Sequence, residues 1–184
     1  MAITVTPLLN FFTGTGNTSD CDNSTNWLLS GAPDTGIYKQ GSAALGTSVS
    51  NTTGNVINYT CTFTYLSTNN RHYYAWLNSL SLLDSQTNGG LRMIAGTNTS
   101  NYRTWYVGGA DTYAGGWQCF VVDPTSAGTI ADVGTYNAAA VTMVAVQFKT
   151  LRAVKAGLIN CFWDALRYGT GLQITSLSSD TITF

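Results

Sequence analysis

The chain has 184 residues, only 9% of them charged: eight Lys and Arg against nine Asp, no Glu, and a formal net charge of -1. A chain of this length buries a single core without metal or disulfide staples. Eight scattered cations offer no basic face to a polyphosphate backbone, which excludes nucleic acid as a partner, and no run approaches the roughly 18 apolar residues that cross a bilayer, which excludes membrane insertion.

The opening MAITVTPLLNFF lacks a charged leader and a small-residue cleavage site, so the mature start is expected at Met1 or Ala2, with any export by another route. ITVTPLL reads as a short first strand. The segment GTGNTSDCDNSTN that follows is rich in Ser, Thr, Asn and Gly, and is read as a polar arm. Residues 1–25 are therefore expected to form an N-terminal strand and arm, and 26–184 the body of the molecule.

Strand signals then recur in chain order, each short, β-branched or aromatic, and bounded by Gly, Asn, Asp, Ser or Pro: AALGTSVS, VINYTCTFTYL, HYYAWLN, LRMIAG, YRTWYV, GWQCFVVD, VTMVAVQF, GLINCFWDAL, GLQITSL and DTITF. The cleanest alternation lies in 56–65, where Asn58, Thr60, Thr62 and Thr64 face away from Ile57, Tyr59, Cys61, Phe63 and Tyr65. TNNR at 68–71, TNGG at 87–90 and VGGAD at 107–111 supply turn residues, and Asp123-Pro124 ends a strand. Two segments compete for helix, AWLNSLSLLDS and NAAAVTMVAVQFKTLRAV. The alanines of the second favour helix, but Val141, Val144, Val146 and Phe148 suit a buried strand, and it is read as a strand because the rest of the chain reads as all-β.

About ten short strands without βα alternation or a repeat predict an all-β fold, a two-sheet antiparallel β-sandwich or jelly roll with little helix. Cys21, Cys61, Cys119 and Cys161 form no CxxC pair and are read as free, buried thiols.

Chemistry is sparse. No strand carries two acids two residues apart, as a sandwich-fold glycosidase would, and turn formation accounts for most of the aspartates. His72 is the single histidine, no GxSxG elbow is present, and a second imidazole for a metal is missing. GSAALGTS lacks the lysine of a phosphate loop. DCDNSTN has alternating oxygen ligands but neither the turn glycine nor the closing glutamate of a calcium loop. The sequence is accordingly read as non-enzymatic, with no catalytic residue, no metal and no cofactor.

One stretch invites a binding role. In NYRTWYVGGADTYAGGWQCFVVD, Tyr102, Thr104 and Tyr106 share one strand face while Arg103, Trp105 and Val107 share the other, and Trp117, Cys119 and Val121 oppose Gln118, Phe120 and Val122. Core packing accounts for most of these rings. The sharper expectation is a glycan surface of Tyr102, Tyr106, Asp111, Tyr113 and Trp117, with rings stacking on sugar faces and Asp111 binding hydroxyls.

NWLLSGAPDTGIYKQGSAAL, LRMIAGTNTSNYRTWYVGG, GGWQCFVVDP and DALRYGTGL together resemble the concanavalin A-like, lectin- and glucanase-type jelly-roll proteins in virions of tailed bacteriophages, over roughly residues 26–175. The resemblance implies a virion structural protein. Its place would be capsid decoration first, or a tail or fibre module, assembled in many copies with itself and other virion proteins and exposed on the extracellular particle. Without glutamate, the catalytic acids of the glucanase relatives do not carry over. The alternative function is a lectin-like module that attaches to host cell-surface glycan.

Overall fold

A computed structural model describes residues 9–10, 21–24, 27–28, 32–50, 56–62, 72–79, 90–106, 116–149 and 158–169. Within them the chain forms eleven strands: β1 (Leu9–Asn10), β2 (Trp27–Leu28), β3 (Ala32–Asp34), β4 (Ala44–Ser50), β5 (Val56–Thr62), β6 (His72–Ser79), β7 (Gly90–Asn98), β8 (Asn101–Tyr106), β9 (Gln118–Val122), β10 (Met143–Lys149) and β11 (Leu158–Gly169). One sheet runs β3-β4-β11-β6-β9, with β1 also on β11; the other runs β2-β5-β10-β7-β8. Every pairing is antiparallel. The molecule is the all-β two-sheet sandwich that the strand spacing predicts.

Aromatic side chains fill the space between the sheets. Trp163 of β11 is 1% exposed and packs edge-on to Trp27 of β2, ring centres 5.8 Å apart, and against Phe148 of β10 at 6.2 Å, so one indole touches two strands of the opposite sheet. Tyr73, Leu77, Leu45, Met93, Val144, Val146 and Leu166 complete this core. Truncating a side chain such as Trp163 to alanine costs about 3–5 kcal/mol. Cys21 belongs to the same cluster, and β1 pairs with Tyr168 and Arg167, so these parts of the first 25 residues are tied to the sandwich.

β10 explains the ambiguity of 137–154. Met143 to Phe148 are all buried: Val144, Val146 and Phe148 lie in the core between the sheets, while Met143, Ala145 and Gln147 on the outer face are covered by cross-strand neighbours such as Tyr102, Ile94 and Arg92, which mutes the alternation. The alanine run takes only a 3₁₀ turn, Ala138–Ala140, capped by the Asn137 side chain, which accepts the Ala139 N–H. Residues 75–79 of the other helical contender, AWLNSLSLLDS, lie in β6, and its remainder lies outside the described residues. GLQITSL, DTITF and the turns at 68–71 and 107–111 lie outside the described residues.

β11 carries a bulge in which Ala165 and Leu166 together face Ala75 of β6, with Ala165 at φ 48°. The extra residue shifts the alternation by one place. Trp163 before it and Leu166 and Tyr168 after it consequently all reach the core, while Asp164 is left on the outer face.

β9 corrects one expectation. Phe120 and Val122 turn inward, whereas Cys119 is exposed and Val121 is 51% exposed. Both halves of this strand are apolar, and its pairing with β6, Tyr73↔Val122 and Trp76↔Cys119, decides which half faces the core. Cys161 is buried as expected; the side chain of Cys61 lies outside the described residues.

Candidate functional site

The outer face of the five-stranded sheet is built in three cross-strand rows over β10, β7 and β8. Register places Gln147, Arg92 and Tyr106 in the first, Ala145, Ile94 and Thr104 in the second, and Met143, Gly96 and Tyr102 in the third. Alternation along each strand brings these nine residues to one face, since their neighbours Met93, Ala95, Trp105, Val144 and Val146 point into the core.

The rows differ in chemistry. In the first, Arg92 Nη1 donates to Gln147 Oε1 at 3.0 Å and the guanidinium lies 4.6 Å above the Tyr106 ring centre, a cation–π contact. Arg92 is 6% exposed and Gln147 8%. Burial pulls the Arg92 guanidinium below its ordinary range, opposed by the electron-rich Tyr106 and Tyr102, and burial pushes the Tyr106 phenol up. The third row is apolar: Tyr102 packs against Ile94, Met143 and Ala145. Gly96 makes room for it, because a Cβ there would stand 2.6 Å from Tyr102 Cβ. Tyr102 and Tyr106 are both half-buried and stand about 13 Å apart along β8, four strand residues.

The free edge of β8 is sealed by the 123–137 segment. Tyr102 and Val133 exchange backbone hydrogen bonds of 2.9 and 3.0 Å, the Thr129 N–H donates to the Thr104 carbonyl at 2.9 Å, and the Tyr106 N–H donates to Thr129 Oγ1 at 3.0 Å. Arg103 anchors the cover through Asp132 and the Ser126 carbonyl, with its guanidinium 4.3 Å from the Tyr136 ring centre. The Trp105 indole N–H donates to Ser126 Oγ at 2.9 Å. An edge closed in this way is unavailable for strand addition, and the tyrosines present side chains rather than backbone.

Of the residues singled out from sequence, Tyr102 and Tyr106 are brought together on this face. Trp117 is half-buried just ahead of β9, in the other sheet, and Asp111 and Tyr113 lie outside the described residues. Arg92 and Gln147 were missed. Their signal was a lone charge and a lone amide inside the apolar strands LRMIAG and VTMVAVQF.

The opposite outer face, on the six-stranded sheet, carries Trp76 with the Lys39 ammonium 4.3 Å from its ring centre, and beside it Tyr74, Cys119 and Val121. Asp164 lies there too, its Oδ2 accepting the N–H groups of Lys39 and Gln40 and its Oδ1 that of Ala165. Asp22 Oδ1 accepts the Ser42 and Ala43 N–H groups. These carboxylates hold the 35–43 loop on the sheet, and no group of three or more His, Cys, Asp or Glu gathers among the described residues.

Two antiparallel sheets packed across an aromatic core define a β-sandwich domain. The family 11 carbohydrate-binding module from Clostridium thermocellum, solved with a β-1,3-1,4-mixed-linked tetrasaccharide, is similar over 90% of this chain and 96% of its own, with a TM-score of 0.54 and 11% identity. An exo-β-agarase is similar over 82% of the chain (TM-score 0.56, 9% identity) and the agarase AgWH50C over 92% (0.52, 10% identity). The chain spans about a quarter of each agarase, 24% and 26%. At these identities the likeness is one of fold. No family model and no curated protein matches the sequence.

Proposed function

We propose that the protein is a non-catalytic carbohydrate-binding module whose ligand lies across Tyr102 and Tyr106 on the outer face of the five-stranded sheet. The observation that carries this reading is the three-row array. Two half-buried phenol rings on one strand flank Thr104, beside a guanidinium and an amide already oriented by each other. Rings supply stacking area at little entropic cost, and a few fixed polar groups set orientation, as saccharide sites require. The similarity to a carbohydrate-binding module over nearly the full length of both chains supports the same reading at the level of fold.

Binding rather than cleavage is favoured by the chemistry of the described side chains on this face, Arg92, Gln147, Thr104 and two phenols. Glycosidic hydrolysis ordinarily uses a pair of carboxyl groups. A narrower reading, that the module is carried in many copies on a phage particle, rests on the motif likeness and the weakly charged sequence. Electron microscopy of particles labelled with an antibody to the protein tests it, bare particles being the contrary result.

Affinity electrophoresis against a panel of soluble plant, algal and bacterial polysaccharides tests the main proposal. Retardation by at least one polymer, abolished in Tyr102→Ala and Tyr106→Ala proteins of unchanged circular dichroism, is expected. Unretarded migration through every polymer overturns the proposal.

A further inference from the structure

Two arginines on adjacent strands of the five-stranded sheet are built alike up to the last contact. Arg103 donates Nη1 to a carbonyl oxygen, that of Ser126, at 2.9 Å and lies over the Tyr136 ring at 4.3 Å. Its remaining side-on edge, Nε and Nη2, grips both oxygens of Asp132 at 2.7 Å each. Arg92 donates Nη1 to a carbonyl oxygen too, Oε1 of Gln147, at 3.0 Å and lies over the Tyr106 ring at 4.6 Å. Its Nε and Nη2 are buried and have no hydrogen-bond partner among the described residues.

That open edge is the pair of parallel N–H groups which matches two oxygens of a carboxylate or sulfate. The residue carrying it is 94% buried on the face assigned to the ligand, and among the described residues no carboxylate pairs with it; the Tyr106 and Tyr102 phenols and the Gln147 amide oxygen are its polar neighbours. A buried cation without a counter-charge is costly, and so are two buried donors left unmade. A neutral hydroxyl would satisfy a donor but leave the charge; an oxyanion pair satisfies both.

We propose that the missing partner comes from the ligand, an anionic saccharide whose carboxylate or sulfate ester docks side-on upon Arg92 Nε and Nη2 as Asp132 docks upon Arg103. The proposal rests on the glycan-binding reading of this face and deepens it to a ligand class. Since the edge has almost no accessible surface, binding proceeds with side-chain rearrangement at the face, a common accompaniment of recognition. Tyr106, stacked on the guanidinium, is then both cover and floor of the same subsite.

The test uses two polymer pairs and the unaltered protein: polygalacturonate with its carboxyl-reduced product, and a sulfated galactan with its desulfated product. Isothermal titration is expected to show one acidic parent bound at least about tenfold tighter than its neutral product, roughly 1.4 kcal/mol. The preference should shrink as ionic strength rises, and whichever pair shows it separates carboxylate from sulfate ester. Arg92→Lys keeps the charge but loses the parallel pair, and should narrow the preference for the acidic polymer without abolishing it. If the neutral products bind as tightly as their parents, the anionic assignment is overturned while the glycan-binding reading stands. If none of the four binds but a neutral glycan elsewhere does, the outcome is the same; if no glycan binds at all, both fall. Should Arg92→Lys fail to fold, the polymer pairs on the native chain decide the matter alone.

Discussion

The Lys39 backbone N–H donates to Asp164 Oδ2 at 2.6 Å, tying the 35–43 loop to β11 across 125 positions of sequence. Asp164 is 1% exposed, and burial dominates its titration: the carboxyl is pushed up to about 6 although three backbone N–H groups favour its charged form, with the nearby Asp22 adding to the rise. An acid whose folded value lies above its unfolded value, near 3.8, contributes stability that is complete below about pH 4 and is lost as pH rises through about 6. Urea midpoints should therefore fall between pH 4 and 7, by on the order of 3 kcal/mol of unfolding free energy, and then level off. Asp164→Asn should remove that slope. Midpoints that climb through this window would contradict the assignment.

Asp132 has the opposite sign. The Arg103 guanidinium holds its carboxyl below the usual range, so the pair stabilises the fold above about pH 4 and releases that contribution as pH falls. The two side chains are 21% and 29% exposed, which keeps the contribution small, about 1 kcal/mol at low salt even with bidentate geometry. Thermal melts of Asp132→Asn at low and high ionic strength test this. A loss confined mainly to low salt is expected, and an equal loss in both would assign the effect to packing.

Gly96 is the position at which the proposed binding face and the fold depend on the same missing atom. An added Cβ would meet Tyr102 Cβ at 2.6 Å and its Cα at 2.7 Å, together with the Asn101 carbonyl, and backbone atoms cannot rotate away. Gly96→Ala should lower stability by about 1–3 kcal/mol and displace Tyr102 from its row. Chemical denaturation together with glycan affinity measures both effects. Wild-type values for each would show that the strands separate without cost.

The described thiols should divide sharply. Cys119 is exposed, whereas Cys21 and Cys161 are fully buried in the core. Partial desolvation of its sulfur pushes the Cys119 thiol up, opposed by Lys39, so alkylation should be slow at neutral pH and quicken in alkali. Peptide mapping after brief iodoacetamide treatment should find Cys119 labelled in the native protein and Cys21 and Cys161 only after unfolding. Labelling of Cys161 at the same rate would contradict the packing of β11.

How much of this was legible in the sequence differs by element. β7 and β8 were readable because each joins turn residues to a run of β-formers, and Tyr102 and Tyr106 fall on one face by alternation alone. β9 could not be oriented: Trp117, Cys119 and Val121 are as apolar as Phe120 and Val122, so only pairing with β6 selects the inner set. Gly116, at φ 106°, lies just ahead of β9, but glycine-rich turn chemistry does not say which sheet the next strand joins. Arg92 and Gln147 lie 55 residues apart, and register alone makes them neighbours.

Paired variants on the two outer faces test the central claim most directly. Tyr106 stands on the five-stranded sheet and Trp76 on the six-stranded one, each beneath a cation, so an alanine at either removes a comparable ring–cation contact. With whichever polysaccharide the native protein binds, isothermal titration should show affinity lost in Tyr106→Ala and kept in Trp76→Ala. Affinity kept in the first and lost in the second would move the ligand to the opposite sheet and contradict the account.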